Sequence, residues 1–147
     1  YTADGGVFVA FLDLPPGTGD VALTVAQLIP AAEMLIVTTP QEAAARIAVK
    51  AARMAQMTKH TIAGVVENMA YFVCPACGAR HHVFGRGGAV ELARKMQTRL
   101  LGRIPLDEAT RTGGDVGRPA ALDPDSPVGA AFHDIAKTLV ATPQDAR

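Results

Sequence analysis

The chain has 147 residues, enough for one domain with its own core, and its 49% hydrophobic content is ordinary for a globular protein. Fourteen basic residues balance fourteen acidic ones, so the composition demands neither nucleic acid nor an anionic membrane as partner. No apolar run reaches the roughly 18 residues needed to span a bilayer, no leader resembles a signal peptide, and two cysteines are too few for a disulfide scaffold; the setting these features suggest is the reducing cytoplasm.

The chain opens at Tyr1 and enters an apolar run within a few residues, which suggests the middle of a longer product. Val7 to Leu14 (VFVAFLDL) is nearly all apolar and predicts a strand buried on both faces. Asp13 lies near its carboxyl end, the edge where open α/β sheets bind ligands. A carboxylate there can hold Mg²⁺ through its waters. Gly17 and Gly19 let the backbone approach a ligand closely, and free N–H groups in such a loop suit a phosphate. The same residues also read simply as a strand end and a turn.

Asp20 is an acceptable N-cap for a helix running to about Ile29, just before Pro30. Met34 to Val37 (MLIV) repeats the strand pattern. Thr39-Pro40-Gln41-Glu42 then predicts a helix with Thr39 as cap, Pro40 in the first turn and Glu42 closing a capping box. Its inward face carries Ile47, Ala51 and Met54. Ile62 to Val66 (IAGVV) is a further strand, followed by Asn68, which alone reads equally as a turn residue or as an amide offering both a donor and an acceptor.

Tyr71-Phe72-Val73 and His82-Val83-Phe84 predict two short strands of a hairpin over about 70–85, with Cys74-Pro75-Ala76-Cys77-Gly78 at its tip. Two thiolates two residues apart can hold one metal from a tight turn, and Gly78 can take the left-handed conformation that aims N–H groups at sulfur. Three chemistries fit this spacing. Zinc would take His81 or His82 as a third ligand, but only one of them, because adjacent strand residues face opposite ways. A redox dithiol usually starts a helix at its first cysteine, which Pro75 and Gly78 disfavour. An iron–sulfur cluster generally takes four thiolates, and two-fold symmetry would supply the second pair. Apart from such ligation, His81 and His82 read as polar strand residues, and His60 and His133 as solvated positions.

Gly85-x-Gly87-Gly88 has no lysine after it and reads as a tight turn into a helix over Ala89 to Thr98, with Val90, Ala93 and Met96 inward. Leu100 to Ile104 (LLGRI) is a weaker strand. Pro105 to Pro127 is rich in Gly, Pro and Asp and reads as a long ordered loop. Ser126-Pro127 opens a last helix that spaces Val128, Ala131, Phe132, Ile135 and Leu139 along one stripe. Strand–helix alternation of this kind implies an α/β fold, a mostly parallel sheet flanked by helices, with the hairpin projecting from it.

The octet Asp13 to Asp20 (DLPPGTGD) resembles the switch II segment of the Mrp-type (ApbC-like) iron–sulfur carrier ATPases, deviant-Walker P-loop proteins related to the nitrogenase iron protein. The resemblance continues in order through Val37-Thr38-Thr39-Pro40-Gln41, Gly64-Val65-Val66-Glu67-Asn68-Met69, the cysteine segment, Phe84-Gly85-x-Gly87-Gly88, Gly102-x-Ile104-Pro105-Leu106-Asp107 and Asp123-Pro124-Asp125-Ser126-Pro127. It implies that Asp13 serves a Mg²⁺ site, that Gly17 offers its N–H to the γ-phosphate, and that Asn68, with Pro105 and Asp107, borders the adenine. It further implies a homodimer that shares a 4Fe–4S cluster through Cys74 and Cys77 of each copy, binds ATP, hydrolyses it slowly and hands the cluster to apo iron–sulfur proteins. A non-catalytic zinc-binding interaction module is the first alternative; a septum-positioning or partition-type ATPase without cluster chemistry is a further one, against which the CxxC argues.

Two departures stand out. The chain has four lysines, Lys50, Lys59, Lys95 and Lys137, and none follows a glycine, so the lysine-bearing phosphate loop is missing. The expectation is that residues 1–147 are the C-terminal part of a single P-loop ATPase-like domain and inactive as an ATPase alone. The apolar Ile47 stands where relatives often carry an acid, which bears on nucleotide coupling rather than on the family.

Overall fold

Three apolar runs pair in parallel in the computed structural model, which describes residues 9–15 and 19–141. They are β1 (Met34–Thr38), β2 (Ile62–Glu67) and, after two short strands, β5 (Leu100–Arg103). The sheet order is β1-β2-β5, with Ile36 opposite Val65 and Glu67 opposite Arg103. β2 is central, and Ala63 to Glu67 are all buried. The short strands β3 (Phe72–Val73) and β4 (Arg80–His81) form a separate antiparallel pair.

The helices are α1 (Asp20–Leu28), α2 (Glu42–Met57), α3 (Gly88–Lys95), α4 (Glu108–Asp115) and α5 (Pro127–Val140), with one 3₁₀ turn at Ala120–Leu122. Successive strand residues face opposite sides, so Val65 and Val66 root two cores. Val65 packs with Ile36, Ala48, Ala52, Ala89, Leu92 and Ala93, beneath α2 and α3. Val66 packs with Ile104, Val128 and Ile135, beneath α5. Burial on both faces explains why β2 reads as a continuous apolar run. None of the described helices is long and apolar enough to cross a membrane.

Several expectations are corrected. The strand over Val7 to Leu14 is not there in its described part: residues 9–15 are irregular, and Phe11 is 75% exposed. An apolar run becomes a strand only when a neighbour accepts its hydrogen bonds, and β1 pairs with β2 alone among the described strands. In α2 the N-cap is Gln41, not Thr39, and no side chain caps it; the Thr39 hydroxyl turns instead to Gln41 Oε1 at 3.0 Å. The buried stripe of α2 is Ala48, Ala52 and Ala55, and Ile47 is exposed. Small residues let this helix lie close on the sheet, and that outweighs the larger side chains one position away. α3 likewise buries Ala89, Leu92 and Ala93 and exposes Val90.

The Gly- and Pro-rich stretch after Pro105 contains α4, held by an Arg111–Asp115 ion pair at 2.8 Å and burying no residue. Gly19, not Asp20, caps α1, with Asp20 in its first turn where the helix dipole favours an acid. Ser126 does cap α5, its Oγ accepting from Gly129 N at 3.0 Å. His60 is buried rather than solvated, its Nδ1 paired with Thr58 Oγ1 at 2.9 Å and its Nε2 with the Ile29 carbonyl at 3.2 Å.

Two expected outcomes follow from these contacts. A Cβ at Gly102 would stand 2.5 Å from Ile135 Cγ1, against α5. Gly102→Ala is therefore expected to lower stability by about 1–3 kcal/mol, the usual effect of overpacking, read in chemical denaturation. The open side of β1 and the exposed Val9, Phe11, Leu12 and Val37 invite association. Sedimentation of the 147-residue chain should show concentration-dependent self-association; a monodisperse monomer with a cooperative melt would contradict this.

Candidate functional site

Parallel pairing brings the carboxyl ends of β1, β2 and β5 to one edge of the sheet. The backbone leaves β2 there, makes the hairpin, and returns as α3. Phe72 pairs with His81 and Val73 with Arg80. The Cys74 N–H donates to the Ala79 carbonyl at 2.9 Å, and the Gly78 N–H to the Cys74 carbonyl at 2.8 Å. Gly78 has a φ of 70°, a left-handed conformation that glycine adopts without strain. This turn is tight enough that the returning strand begins at Arg80 rather than at His82, as the residue pattern suggested.

Cys77 is exposed, Cys74 half-buried, and both thiols are free. The Ala76 N–H, then the Cys77 N–H and the Cys77 thiol, hydrogen-bond the Cys74 sulfur and hold its pKa below the ordinary thiol value, with burial opposing weakly. The thiolate is the form that binds metal, so these donors favour ligation. Among the described residues no three or more His, Cys, Asp or Glu side chains come together as a metal site. The three-ligand zinc site with His81 or His82 is thus not built here. His81 is exposed, and His82 pairs through Nδ1 with the Ala70 carbonyl at 3.1 Å. No helix starts at Cys74, as a thioredoxin-like dithiol would require. His133 is exposed, its Nε2 on the Ala121 carbonyl at 3.0 Å.

The candidate nucleotide residues fall into two groups. Asn68 follows β2 directly. Its N–H donates to the Thr38 carbonyl at 2.8 Å, and its Oδ1 accepts from Met69 N at 2.9 Å. Pro105 is buried just past β5, and Asp107 is half-buried at the start of α4, so these three share the carboxyl edge. Asp13 is exposed on an irregular stretch rather than at a strand end, and Gly17 lies outside the described residues. With no cluster of ligands around Asp13, the described residues do not form a Mg²⁺ site by themselves.

The residue pattern did not single out Glu67 and Arg103. Glu67 is 3% exposed; its Oε2 accepts from Arg103 Nε at 3.0 Å and its Oε1 from Ala89 N at 3.3 Å. The available signal was a lone acid ending one apolar strand and a lone cation ending another.

A family model described as NUBPL iron-transfer P-loop NTPase, of the ParA group, matches residues 5–140. The iron–sulfur cluster carrier protein of Mycobacterium tuberculosis is 49% identical over 142 residues, covering 92% of this chain and 37% of its own length. The protein of the same name from Bacillus subtilis is 44% identical over 135 residues, with 92% and 38% covered. The chain therefore spans well under half the length of these relatives. Among solved structures, a nucleotide-binding protein from Archaeoglobus fulgidus, in complex with ADP and with cobalt found in it, is 48% identical with a TM-score of 0.66, over 76% of this chain and 46% of that one. The cell division ATPase MinD of Pyrococcus furiosus is 25% identical with a TM-score of 0.58, over 74% and 42%.

The lowered thiol pKa gives a pH-dependent expectation. A depressed pKa means the native thiolate adds stability above the unfolded-state pKa and loses it as pH falls through the native value. In Cys77→Ser, which keeps the two backbone donors, iodoacetamide alkylation of Cys74 should reach half its maximal rate at a lower pH than in the urea-unfolded chain. Coincident pH profiles would show that the turn does not activate the sulfur.

Proposed function

The chain belongs to the family of NUBPL-type iron-transfer P-loop NTPases, and on that premise we propose that it is the C-terminal part of an ATP-dependent iron–sulfur cluster carrier. Its cargo is a 4Fe–4S cluster held between two copies, Cys74 and Cys77 of each copy giving four thiolates. The observation that carries this reading is the pair of free thiols on a hairpin tip with no third ligand gathered beside them among the described residues. A pair alone is half of the shell that a tetrahedral metal or a cubane requires.

Transfer to an apo-protein is ligand exchange. Each recipient thiolate that binds iron displaces one carrier thiolate, which takes up a proton, and no electron moves. A hairpin at the rim of the sheet suits this exchange, because Cys77 is open to an incoming ligand. The thiol pair needs a reducing compartment, and the cytoplasm is the natural one.

In the longer protein, Asn68, Pro105 and Asp107 border the adenine, Gly17 gives its N–H to the γ-phosphate, and Asp13 serves the Mg²⁺ site. Hydrolysis is P-loop phosphoryl transfer to water, and nucleotide state sets the geometry of the dimer and so the exposure of the cargo. None of the four lysines follows a glycine, so the 147-residue chain by itself is expected to show no ATPase activity above background.

Anaerobic reconstitution with ferrous iron and sulfide tests the reading. The expected product is brown, with the broad visible absorption of a thiolate-bound cluster, and does not form in Cys74→Ser. A colourless chain that binds one zinc tightly would instead support a zinc-binding interaction module.

A further inference from the structure

The excursion that carries the two cysteines leaves the sheet after Glu67 and rejoins the fold at α3. Its outgoing leg is tied by backbone bonds. The Ala70 N–H donates to the Ile104 carbonyl at 3.0 Å, the Leu106 N–H to the Tyr71 carbonyl at 2.7 Å, and Phe72 bridges Leu106 in parallel. The hairpin is thus an extension of the segment that follows β5, the segment proposed to border the adenine. The returning leg pairs with the outgoing one through β4 and through His82 Nδ1 on the Ala70 carbonyl at 3.1 Å, and its contact with the sheet itself comes further on. Gly87 turns with a φ of 88°, and the next residue but one, Ala89, sends its N–H to Glu67 Oε1.

This contact sits at the N-terminus of α3, where a carboxylate meets both an unpaired amide and the positive end of the helix dipole. The same carboxylate is fixed from the other side by Arg103 Nε at 3.0 Å. The Glu67 side chain is 4% exposed and that of Arg103 48%, so the acid is desolvated while its cation stays at the rim. A buried carboxylate without its partners would be strongly unfavourable, which makes this arrangement specific rather than incidental.

We propose that Glu67 is the positioning residue of the cysteine hairpin: its buried carboxylate, oriented by Arg103, closes the base of the excursion by binding Ala89 N–H, and so fixes where the thiol pair stands relative to the nucleotide-facing edge. The proposal deepens the carrier reading by naming what holds the cargo site, and it rests on that reading for the purpose of the hairpin. Glu67 touches neither cargo nor nucleotide here; it acts through the backbone of Ala89 and through β5. Because Arg103 immediately precedes Ile104 and Pro105, a shift of that segment would reach the hairpin by two routes, the Leu106–Tyr71 ladder and the Arg103–Glu67 pair.

The test uses the full 147-residue chain without iron, so its outcome is separate from that of cluster reconstitution. Two quantities are read: amide hydrogen exchange at Cys74 and Gly78, and binding of phenylarsine oxide, whose arsenic must bridge both thiols. In Glu67→Gln the amide keeps an acceptor for Ala89 but can no longer pair with the guanidinium. Exchange at the hairpin amides should rise about tenfold, with Val65 in the central strand unchanged, and arsenical affinity should fall several-fold. Arg103→Ala should act the same way, and Arg103→Lys, which retains one charged donor, should restore most of the protection. Should Glu67→Gln fail to fold, the half-exposed Arg103 pair of variants decides alone. Unchanged exchange at Cys74 and Gly78, or a rise shared equally with Val65, would overturn the proposal.

Discussion

Parallel pairing of β1, β2 and β5 sends every strand's carboxyl end to the same rim, and that constraint decides where the chemistry of this chain lies. A parallel sheet must be covered on both faces, so α2 and α3 pack on one side and α5 on the other. With both faces closed, the rim is where a segment can leave the sheet and still be anchored to it. The cysteine hairpin does this after β2, the central strand. Its root is therefore the most buried element of the fold, while its tip, at Cys77, is open to solvent.

Such a design keeps the thiols both placed and available. Backbone donors from Ala76 and Cys77 favour the Cys74 thiolate against a weak opposing effect of its partial burial, so the sulfur is prepared for a metal while its coordination is left incomplete. The nearby histidines are engaged elsewhere or exposed: His82 is bound to the Ala70 carbonyl, with its ring 6.2 Å from that of Tyr71, and His81 lies on the exposed strand β4. Incomplete ligation is a liability in a structural zinc site. In a carrier it is what allows cargo to be accepted and released. β1 pairs with β2 alone among the described strands. The chain covers 37% of its mycobacterial relative, and it presents Val37 and Phe11 to solvent.

Much of this was legible in the sequence where local pattern and tertiary burial agree. The runs at Met34, Ile62 and Leu100 are strands because each is apolar and has a parallel neighbour to take its hydrogen bonds, β2 pairing with the other two. The CxxC turn was legible because Gly78 is required by its own geometry. Val7 to Leu14 misled because a strand is made by its neighbour rather than by its own side chains, and no described strand pairs with residues 9–15. The face of α2 was misassigned by favouring Ile47 and Met54 over alanines, although close approach to the sheet selects Ala48, Ala52 and Ala55. α4 was hidden by Gly113-Gly114 and by its lack of a buried face. The Glu67–Arg103 pair joins residues 36 apart in sequence and depends on the register of β2 against β5, which no local window contains.

In the proposed carrier each chain supplies half of a coordination shell and a second copy supplies the rest. Native mass spectrometry of the iron- and sulfide-loaded chain, sprayed anaerobically, measures this directly. The expected species has two chains and a single cubane's mass, and it is absent from Cys74→Ser, whose chains associate only through the open side of β1 and carry no iron. A saturated metal or cluster on single chains, with no two-chain species, would contradict it.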